Sequence, residues 1–183
     1  MDLFGLDYDM EDLALICQHA ENHYNGVKCG IMDQFSIAMG KKNCALYLNT
    51  GTMKYRYVDL NMADTVLIIM NTNKKRGLGD SKYNERRSEC ETAVSELKET
   101  FLIENLCQLE EKDWERALSQ LSSETLRKRV RHVITENKRT YQAVEAMEQS
   151  DIERLGMLMN ESHASLRDDY EVTGIELDLS LIH

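Results

Sequence analysis

Residues 43–60, NCALYLNTGTMKYRYVDL, contain two runs of strand-forming residues with a turn between them. The first run is Asn43 to Asn49, and the second, Lys54 to Leu60, alternates in side-chain character. The residues between them, Asn-Thr-Gly-Thr at 49–52, predict that the two runs form a hairpin. A continuous apolar run follows at Thr65 to Met70, and it predicts a third strand that is buried on both faces.

Upstream of these strands, the sequence predicts two helices joined by a loop. Asp9 to Asn22 repeats apolar residues at helical spacing, and Asp9 is a suitable N-cap. Tyr24 to Gly30 breaks this pattern and contains two glycines, which is typical of a loop. Asp33 to Met39 predicts a short helix that ends at Gly40.

Downstream of the strands, the pattern is helical from Asp80 to about Arg167. Asp80 or Ser81 can cap a long helix whose apolar face includes Ala93 and Leu97. Three more helices are expected, one around Trp114 to Leu121, one from Leu126 to Met147, and one from Ile152 to about Arg167. Two helices, three strands and then a helical run predict an α+β fold.

The negative charge of the chain disfavours two classes of binding partner. Its 183 residues include 32 acidic and 22 basic side chains, which gives a net charge of −10. Such a surface repels nucleic-acid phosphates and anionic lipids, so we expect neither nucleic acid nor a membrane as a partner. The best apolar run, Val66 to Met70, is far shorter than the roughly 20 residues of a membrane span. Since no secretory signal pattern opens the chain, we expect a cytoplasmic protein.

The cysteine content agrees with a reducing compartment. The five cysteines are widely spaced and form no Cys-x-x-Cys motif. None of them has a histidine at zinc-site spacing. We therefore expect reduced thiols at Cys17, Cys29, Cys44, Cys90 and Cys107.

Several short motifs occur one after another along the chain. Residues 19–35 contain HAEN and then GVKCGIMDQF, and residues 80–90 read DSKYNERRSEC. They are followed by RHV at 131–133, RT at 139–140, LMNESH at 158–163, LRDDYEV at 166–172 and ELD at 176–178. In this order the motifs resemble segments of galactokinases, which are members of the GHMP small-molecule kinase superfamily. Motifs in a shared order are more specific than any one of them, and this resemblance extends from about Leu3 to Asp178.

The resemblance implies a fold and an activity. The fold would be the two-domain architecture of GHMP kinases, incomplete in this chain. Residues 1–62 would be the C-terminal part of the first domain, and residues 63–183 the N-terminal part of the second. The activity would be ATP-dependent phosphorylation of galactose at its anomeric hydroxyl, giving galactose 1-phosphate. ATP would be the co-substrate, and Mg²⁺ the metal ion.

Asp33 is the residue for which the resemblance matters most. By spacing alone, a carboxylate just inside a helix start complements the positive end of the helix dipole. The resemblance implies instead that Asp33 is the catalytic aspartate, which accepts or orients the proton of the attacking sugar hydroxyl and also contacts the substrate. Both roles, taking the proton and orienting it, stay open, because phosphoryl transfer depends mostly on positioning and charge stabilisation.

Three further residues have both a structural and a functional interpretation. Alone, Gly30 is a turn glycine, Tyr83 a core residue at a helix start, and Glu21 a solvated helix residue. The resemblance implies that the Gly30 backbone lies against the sugar and that Tyr83 hydrogen-bonds a sugar hydroxyl. It also implies that Glu21 helps to hold Mg²⁺, an ion that usually takes one or two carboxylates.

Other polar residues in the motifs are interpreted as structural. A single histidine on a helix is more often structural than catalytic, and we leave His163 out of the site. Arg86 and Arg87 follow Glu85 in a charged helix, and we expect both to form structural ion pairs.

Parts of the family pattern have no counterpart in these 183 residues. They are the Arg/Glu-His-Thr-Asp segment that grips the sugar, the glycine- and serine-rich loop around the ATP phosphates, and a C-terminal glycine-rich segment. Because backbone amides supply most phosphate binding, we expect the chain as given to be an inactive fragment. We also expect unpaired sheet edges to make it marginally stable or self-associating.

Two alternatives to a galactose kinase stay open at this point. A kinase for N-acetylgalactosamine shares these motifs, and a panel of sugars would separate the two. A non-catalytic galactose and ATP sensor, which would bind a protein partner, is the other. The presence of Asp33 favours the enzyme over the sensor.

Overall fold

A computed structural model of the chain describes residue 5 and residues 8–62, 64–73 and 81–180. Over these residues the order of elements is two helices, a two-stranded hairpin and five helices. The elements are α1 (Met10–Tyr24), α2 (Met32–Met39), β1 (Cys44–Asn49), β2 (Lys54–Asp59), α3 (Ser81–Phe101), α4 (Trp114–Gln120), α5 (Glu124–Glu148), α6 (Ile152–Asp168) and α7 (Ile175–Ser180). Two short 3₁₀ turns, Leu106–Gln108 and Glu111–Asp113, connect α3 to α4.

The first helices form where their sequence signals predict them. The Asp9 carboxylate accepts a hydrogen bond from the Asp12 amide at 2.7 Å, which caps α1. Helix α2 ends at Gly40, where a Cβ would lie 2.8 Å from the Ser36 carbonyl oxygen. A side chain at position 40 would therefore collide with the last turn of the helix that it follows. Both predicted helices are confirmed.

The hairpin and the first two helices share a small core. Strands β1 and β2 pair antiparallel, with Leu46 opposite Tyr57. The Asn49 side chain accepts hydrogen bonds from the amides of Gly51 and Thr52, and these bonds close the turn. The core consists of Ala14, Ile31 and Phe35, covered by Leu46, Leu48 and Tyr55 among others. This arrangement fixes α2 against the hairpin.

A second and larger core lies between α3, α4 and α5. Its fully buried members recur at helical spacing on the face of α3 that the sequence predicted. The 3₁₀ turns contribute Leu106 and add buried contacts with α5. The members are Ala93, Leu97, Ile103, Leu106, Leu109, Ala117, Leu121, Leu126, Val130 and Ile134.

Two buried arginines hold the turn that follows α6. Arg129 of α5 is 1% exposed and donates to Glu89 of α3 at 2.6 Å and to the Glu171 carboxylate at 2.7 Å. Arg86 of α3 is 3% exposed and donates to the Tyr170 carbonyl at 2.6 Å and to Glu89 at 2.9 Å. We call this cluster, Arg86, Glu89, Arg129 and residues 169–171, the arginine clamp.

The clamp also explains a shifted carboxyl group. The hydrogen bond from Arg129, followed by that from Lys128, holds the pKa of Glu171 below its usual value. The ion pairs expected for Arg86 are confirmed, since it pairs with Glu85 and Glu89 of its own helix. A hydrogen bond to the Tyr170 carbonyl also joins it to the turn. Arg87 pairs with Glu91 at the surface of α3, as expected.

A buried histidine packs beside the clamp. His132 Nδ1 lies 2.9 Å from the Ser165 hydroxyl, and its ring stacks on Tyr170 with centroids 4.4 Å apart. Burial lowers the pKa of His132, because the charged imidazolium would lose its hydration there. These contacts join α5 to α6.

The hairpin contacts the far end of α5. Arg56 of β2 pairs with Glu148, and the rings of Tyr47 and Tyr141 lie 5.8 Å apart. Burial and the hydrogen bond to Tyr141 raise the pKa of Tyr47 to about 12. The small core and the larger core are therefore joined through α5.

The prediction of a third strand at Thr65 to Met70 is wrong. Residues 65–73 form neither helix nor strand, and the side chains of Val66 to Met70 are 58–88% exposed. A strand buried on both faces needs neighbouring strands to take its hydrogen bonds. Within the described residues, β1 and β2 pair only with each other. The predicted cap at Asp80 lies outside the described residues, and the boundary between residues 62 and 63 stays a prediction.

Replacing Arg129 with methionine tests the arginine clamp. Two carboxylates and a carbonyl would lose their buried donor, so we expect the free energy of unfolding to fall by about 3 kcal/mol. Urea denaturation measures this difference. Arg87→Met, which breaks an exposed pair, should cost less than about 1 kcal/mol. Equal losses in the two variants would contradict the clamp.

The exposed apolar run predicts self-association. Contiguous apolar surface of this kind promotes association in water, so the chain should sediment partly as oligomers. Ile69→Lys should shift it towards monomer, because Ile69 is 88% exposed within the run. Ile37→Lys is the matched control, since Ile37 is 86% exposed but lies on α2. A single sharp monomer boundary for the unsubstituted chain would refute the prediction.

Candidate active site

The loop between α1 and α2, residues 25–31, connects the predicted metal ligand Glu21 to the predicted catalytic Asp33. Cys29 is its anchor. The Gln18 side chain of α1 donates to the Cys29 carbonyl at 3.2 Å, and the Cys29 thiol lies 3.4 Å from Asn22 Oδ1. From α2, Gln34 Nε2 lies 3.8 Å from the Cys29 sulfur. The loop is therefore fixed to both of the helices that it joins.

Helix α3 holds the same loop from the other side. The Lys28 amide donates to Asn84 Oδ1 at 3.1 Å, and Asn84 Nδ2 donates to the Gly26 carbonyl at 3.3 Å. Gly26 has φ of +69°, in the left-handed region that favours glycine. Asn84 lies in the first turn of α3, directly after Tyr83. The structure thus brings the beginning of α3 against the loop.

Asp33 is in the first turn of α2 and is exposed. The N-cap residue, Ile31, supplies no side-chain hydrogen bond, so the first amides of the helix are not capped by a side chain. A carboxylate at this position is stabilised by the helix dipole. Exposure also leaves the Asp33 carboxylate accessible to a substrate hydroxyl.

The residue after Asp33 has an unused acceptor. Gln34 Oε1 is buried and accepts no hydrogen bond from any described residue. Its amide nitrogen contacts the sulfur of Cys29. A buried oxygen without a donor is unusual in proteins. It lies at the same helix start as Asp33.

Glu21 is half-buried in the last turns of α1. Its Oε2 accepts a hydrogen bond from Asn25 at 3.0 Å, and its carbonyl accepts one from the Val27 amide at 3.3 Å. In the part of the chain that the structure describes, no three His, Cys, Asp or Glu side chains are grouped for a metal ion. A single carboxylate is enough for an ion that keeps water and phosphate oxygens as its other ligands.

Gly30 faces open space. A Cβ built on it would meet no atom within 4 Å, so packing within the described chain does not require glycine at this position. The side chain of Tyr83 lies outside the described part of the chain, and its backbone belongs to the first turn of α3. Glu21, Gly30 and Asp33 thus belong to one anchored segment, and α3 brings residue 83 to it.

Two positioning residues were not predicted from the sequence. Asn84 and Cys29 both fall inside the quoted motifs. For Asn84, no spacing rule predicts a hydrogen bond between its side chain and a backbone amide 56 positions away. His163, which we left out of the site, lies with Nε2 3.3 Å from the Asp178 carboxylate and so joins α6 to α7. It lies outside the anchored segment.

Two surface clefts occur elsewhere in the described chain. A cleft of about 300 Å³ lies between α5 and α6, lined by Arg131, Arg139 and Asp168 among others. A cleft of about 490 Å³ lies between β2 and the end of α5, with Tyr57 and Glu148 in its wall. Neither cleft includes a predicted site residue.

None of the described helices is both long and apolar enough to cross a bilayer.

Comparison with known proteins identifies relatives of this segment. A family model described as the GHMP kinases N terminal domain matches residues 1–41. A galactokinase of Clostridium beijerinckii is 54% identical over 177 residues, covering 97% of this chain and 46% of that protein. A galactokinase of Streptococcus thermophilus is 52% identical over 176 residues, covering 96% of this chain and 45% of that protein. The chain spans about half the length of these relatives.

A solved structure agrees with these relatives. The crystal structure of Lactococcus lactis galactokinase complexed with galactose matches with a TM-score of 0.92 and 42% identity. The match covers 97% of this chain and 46% of that one. The expected α+β fold and the resemblance to galactokinases are therefore confirmed. The roles of Glu21, Gly30, Asp33 and Tyr83 stay predictions.

Replacing Asn84 with alanine tests the anchoring of the loop. Loss of its two hydrogen bonds should cost about 1 kcal/mol of local stability, which corresponds to roughly fivefold faster hydrogen exchange. The Lys28 amide is the reporter, because it donates directly to Asn84. Asn160→Ala, at an exposed position of α6, should leave that amide unchanged. Unaltered exchange at Lys28 in the Asn84 variant would contradict the anchoring role.

Proposed function

We propose that this chain supplies part of the active site of a kinase that transfers the γ-phosphoryl group of ATP to the anomeric hydroxyl of galactose. The observation that carries the proposal is the match to galactokinases over 97% of the chain at up to 54% identity. Within that match, Glu21 of α1 and Asp33 of α2 lie on either side of the anchored loop. We propose a cytoplasmic location, where ATP is available.

In this proposal, Asp33 is the catalytic residue. Its carboxylate would accept, or hold in line, the proton of the attacking sugar hydroxyl. Asp33 lies in the first turn of α2, at the positive end of the helix dipole. A positioned base of this kind contributes typically about 10²- to 10⁴-fold to the rate. Exposure of Asp33 on the described chain supports access by the sugar.

Gly30 and Tyr83 would bind the sugar. The open space beside Gly30 supports this role, because a side chain there would occupy the volume in front of the loop. Tyr83 would donate or accept at a sugar hydroxyl, and Asn84 fixes its turn of helix against the loop.

Glu21 would help to hold Mg²⁺. The ion, when bound, would neutralise charge on the transferring phosphoryl group. The single carboxylate of Glu21 fits an ion whose other ligands are waters and phosphate oxygens. Asn25, which donates to Glu21 Oε2, would orient the carboxylate.

A chimeric enzyme tests this function. The chain replaces the corresponding segment of the Clostridium beijerinckii galactokinase, and galactose- and ATP-dependent turnover is measured. Asp33→Asn should lower kcat by about 10²- to 10⁴-fold, because it removes the proton acceptor and keeps the shape. A panel with N-acetylgalactosamine identifies the preferred sugar.

Asp12→Asn provides the matched control for that measurement. Asp12 is likewise an exposed carboxylate in the first turn of a helix, α1. It should leave kcat within about twofold, as expected of a surface substitution. If the Asp33 variant retains nearly full turnover while the chimera is active, the assignment of Asp33 is wrong.

A further inference from the structure

We infer that His19 and His23 form a binding site for a divalent transition metal ion, Zn²⁺ in the first instance, on the surface of α1. The two histidines are four positions apart in a 15-residue helix, so their side chains leave the same face one turn apart. Two histidines at this spacing on one helix face can bind zinc together. This site is separate from the carboxylate proposed for Mg²⁺.

The two imidazole rings lie close to each other on the surface of α1. The imidazole centroids are 4.0 Å apart, and the ring planes differ by 27°. Two nitrogens that each lie 2.0–2.1 Å from a tetrahedral zinc ion are about 3.3 Å from each other. The stacked rings would turn about their side-chain bonds to direct one nitrogen each at a common point.

Both rings are available for binding. His19 and His23 are exposed, and neither takes part in a hydrogen bond or an ion pair with any described residue. Asn22, between them, is engaged by Cys29. Water would complete the coordination sphere. The position near the C-terminal end of α1 also favours a cation, since the helix dipole is negative there.

The donor set determines which ions bind. Imidazole nitrogens suit Zn²⁺, Cu²⁺ and Ni²⁺, whereas Mg²⁺ prefers oxygen ligands. Glu21 is two positions from each histidine, so its side chain leaves a different face of the helix. Two ligands supply about half of the binding free energy of a four-ligand zinc site, which gives a Kd on the order of 10 µM.

Zinc titration of the full chain tests the site. Calorimetry with ZnCl₂ should find one ion bound with a Kd on the order of 10 µM. His19→Gln and His23→Gln should each weaken binding by about tenfold or more, because each leaves a single ligand. Millimolar Mg²⁺ should not compete. Circular dichroism checks that both variants keep the helical content of the parent, as expected for exposed positions.

Two matched variants make the test selective. His163→Gln applies the same substitution to a histidine that contacts Asp178, and Cys17→Ser removes an exposed thiol from α1. Neither should change the Kd by more than about twofold. Absence of zinc binding, full binding in either paired-histidine variant, loss of binding in Cys17→Ser, or displacement by Mg²⁺ would each overturn the inference.

Discussion

The structure depends on two buried guanidinium groups, those of Arg86 and Arg129. A buried charge is tolerated only where partners replace the lost water. Each arginine finds carboxylates on α3 or after α6 together with a backbone carbonyl of the same turn. Because both arginines share Glu89, the orientations of α3, α5 and the turn after α6 are mutually constrained. The larger apolar core fills the space between the helices that these contacts orient.

The same constraint reaches the candidate active site through α3. The helix begins with the turn that carries Asn84 and continues through Arg86 and Glu89 to the core face at Ala93. A shift of α3 would therefore move the donor and acceptor that hold the loop between α1 and α2. Since Cys29 ties that loop to its own two helices, the segment from Glu21 to Asp33 is supported from three directions. Support of this kind is what a positioned carboxylate needs.

The features of the fold that could be predicted from the sequence are those set by residues within a few positions of them. The limits of α1 and α2 follow from Asp9 and Gly40, whose effects act within a few residues. The hairpin follows from the turn at Asn49. The run Val66 to Met70 was mispredicted because its burial depends on neighbours and not on its own composition. Asn84 and Arg129 act across 40 or more positions, and such contacts leave no periodic trace in one sequence. The close approach of the His19 and His23 rings does have a sequence signal, because residues four positions apart lie on the same face of a helix.

The unequal sizes of the two cores have a consequence for cooperativity. The core cluster shared by α1, α2 and the hairpin has three buried residues, whereas the cluster between α3, α4 and α5 has ten. Units with fewer buried apolar contacts open at lower free energy. The segment from Glu21 to Asp33 therefore belongs to the unit that fluctuates first. Part of the binding free energy of a ligand at this segment would go into suppressing local unfolding. Ligand binding and the melting of the smaller unit are therefore thermodynamically linked.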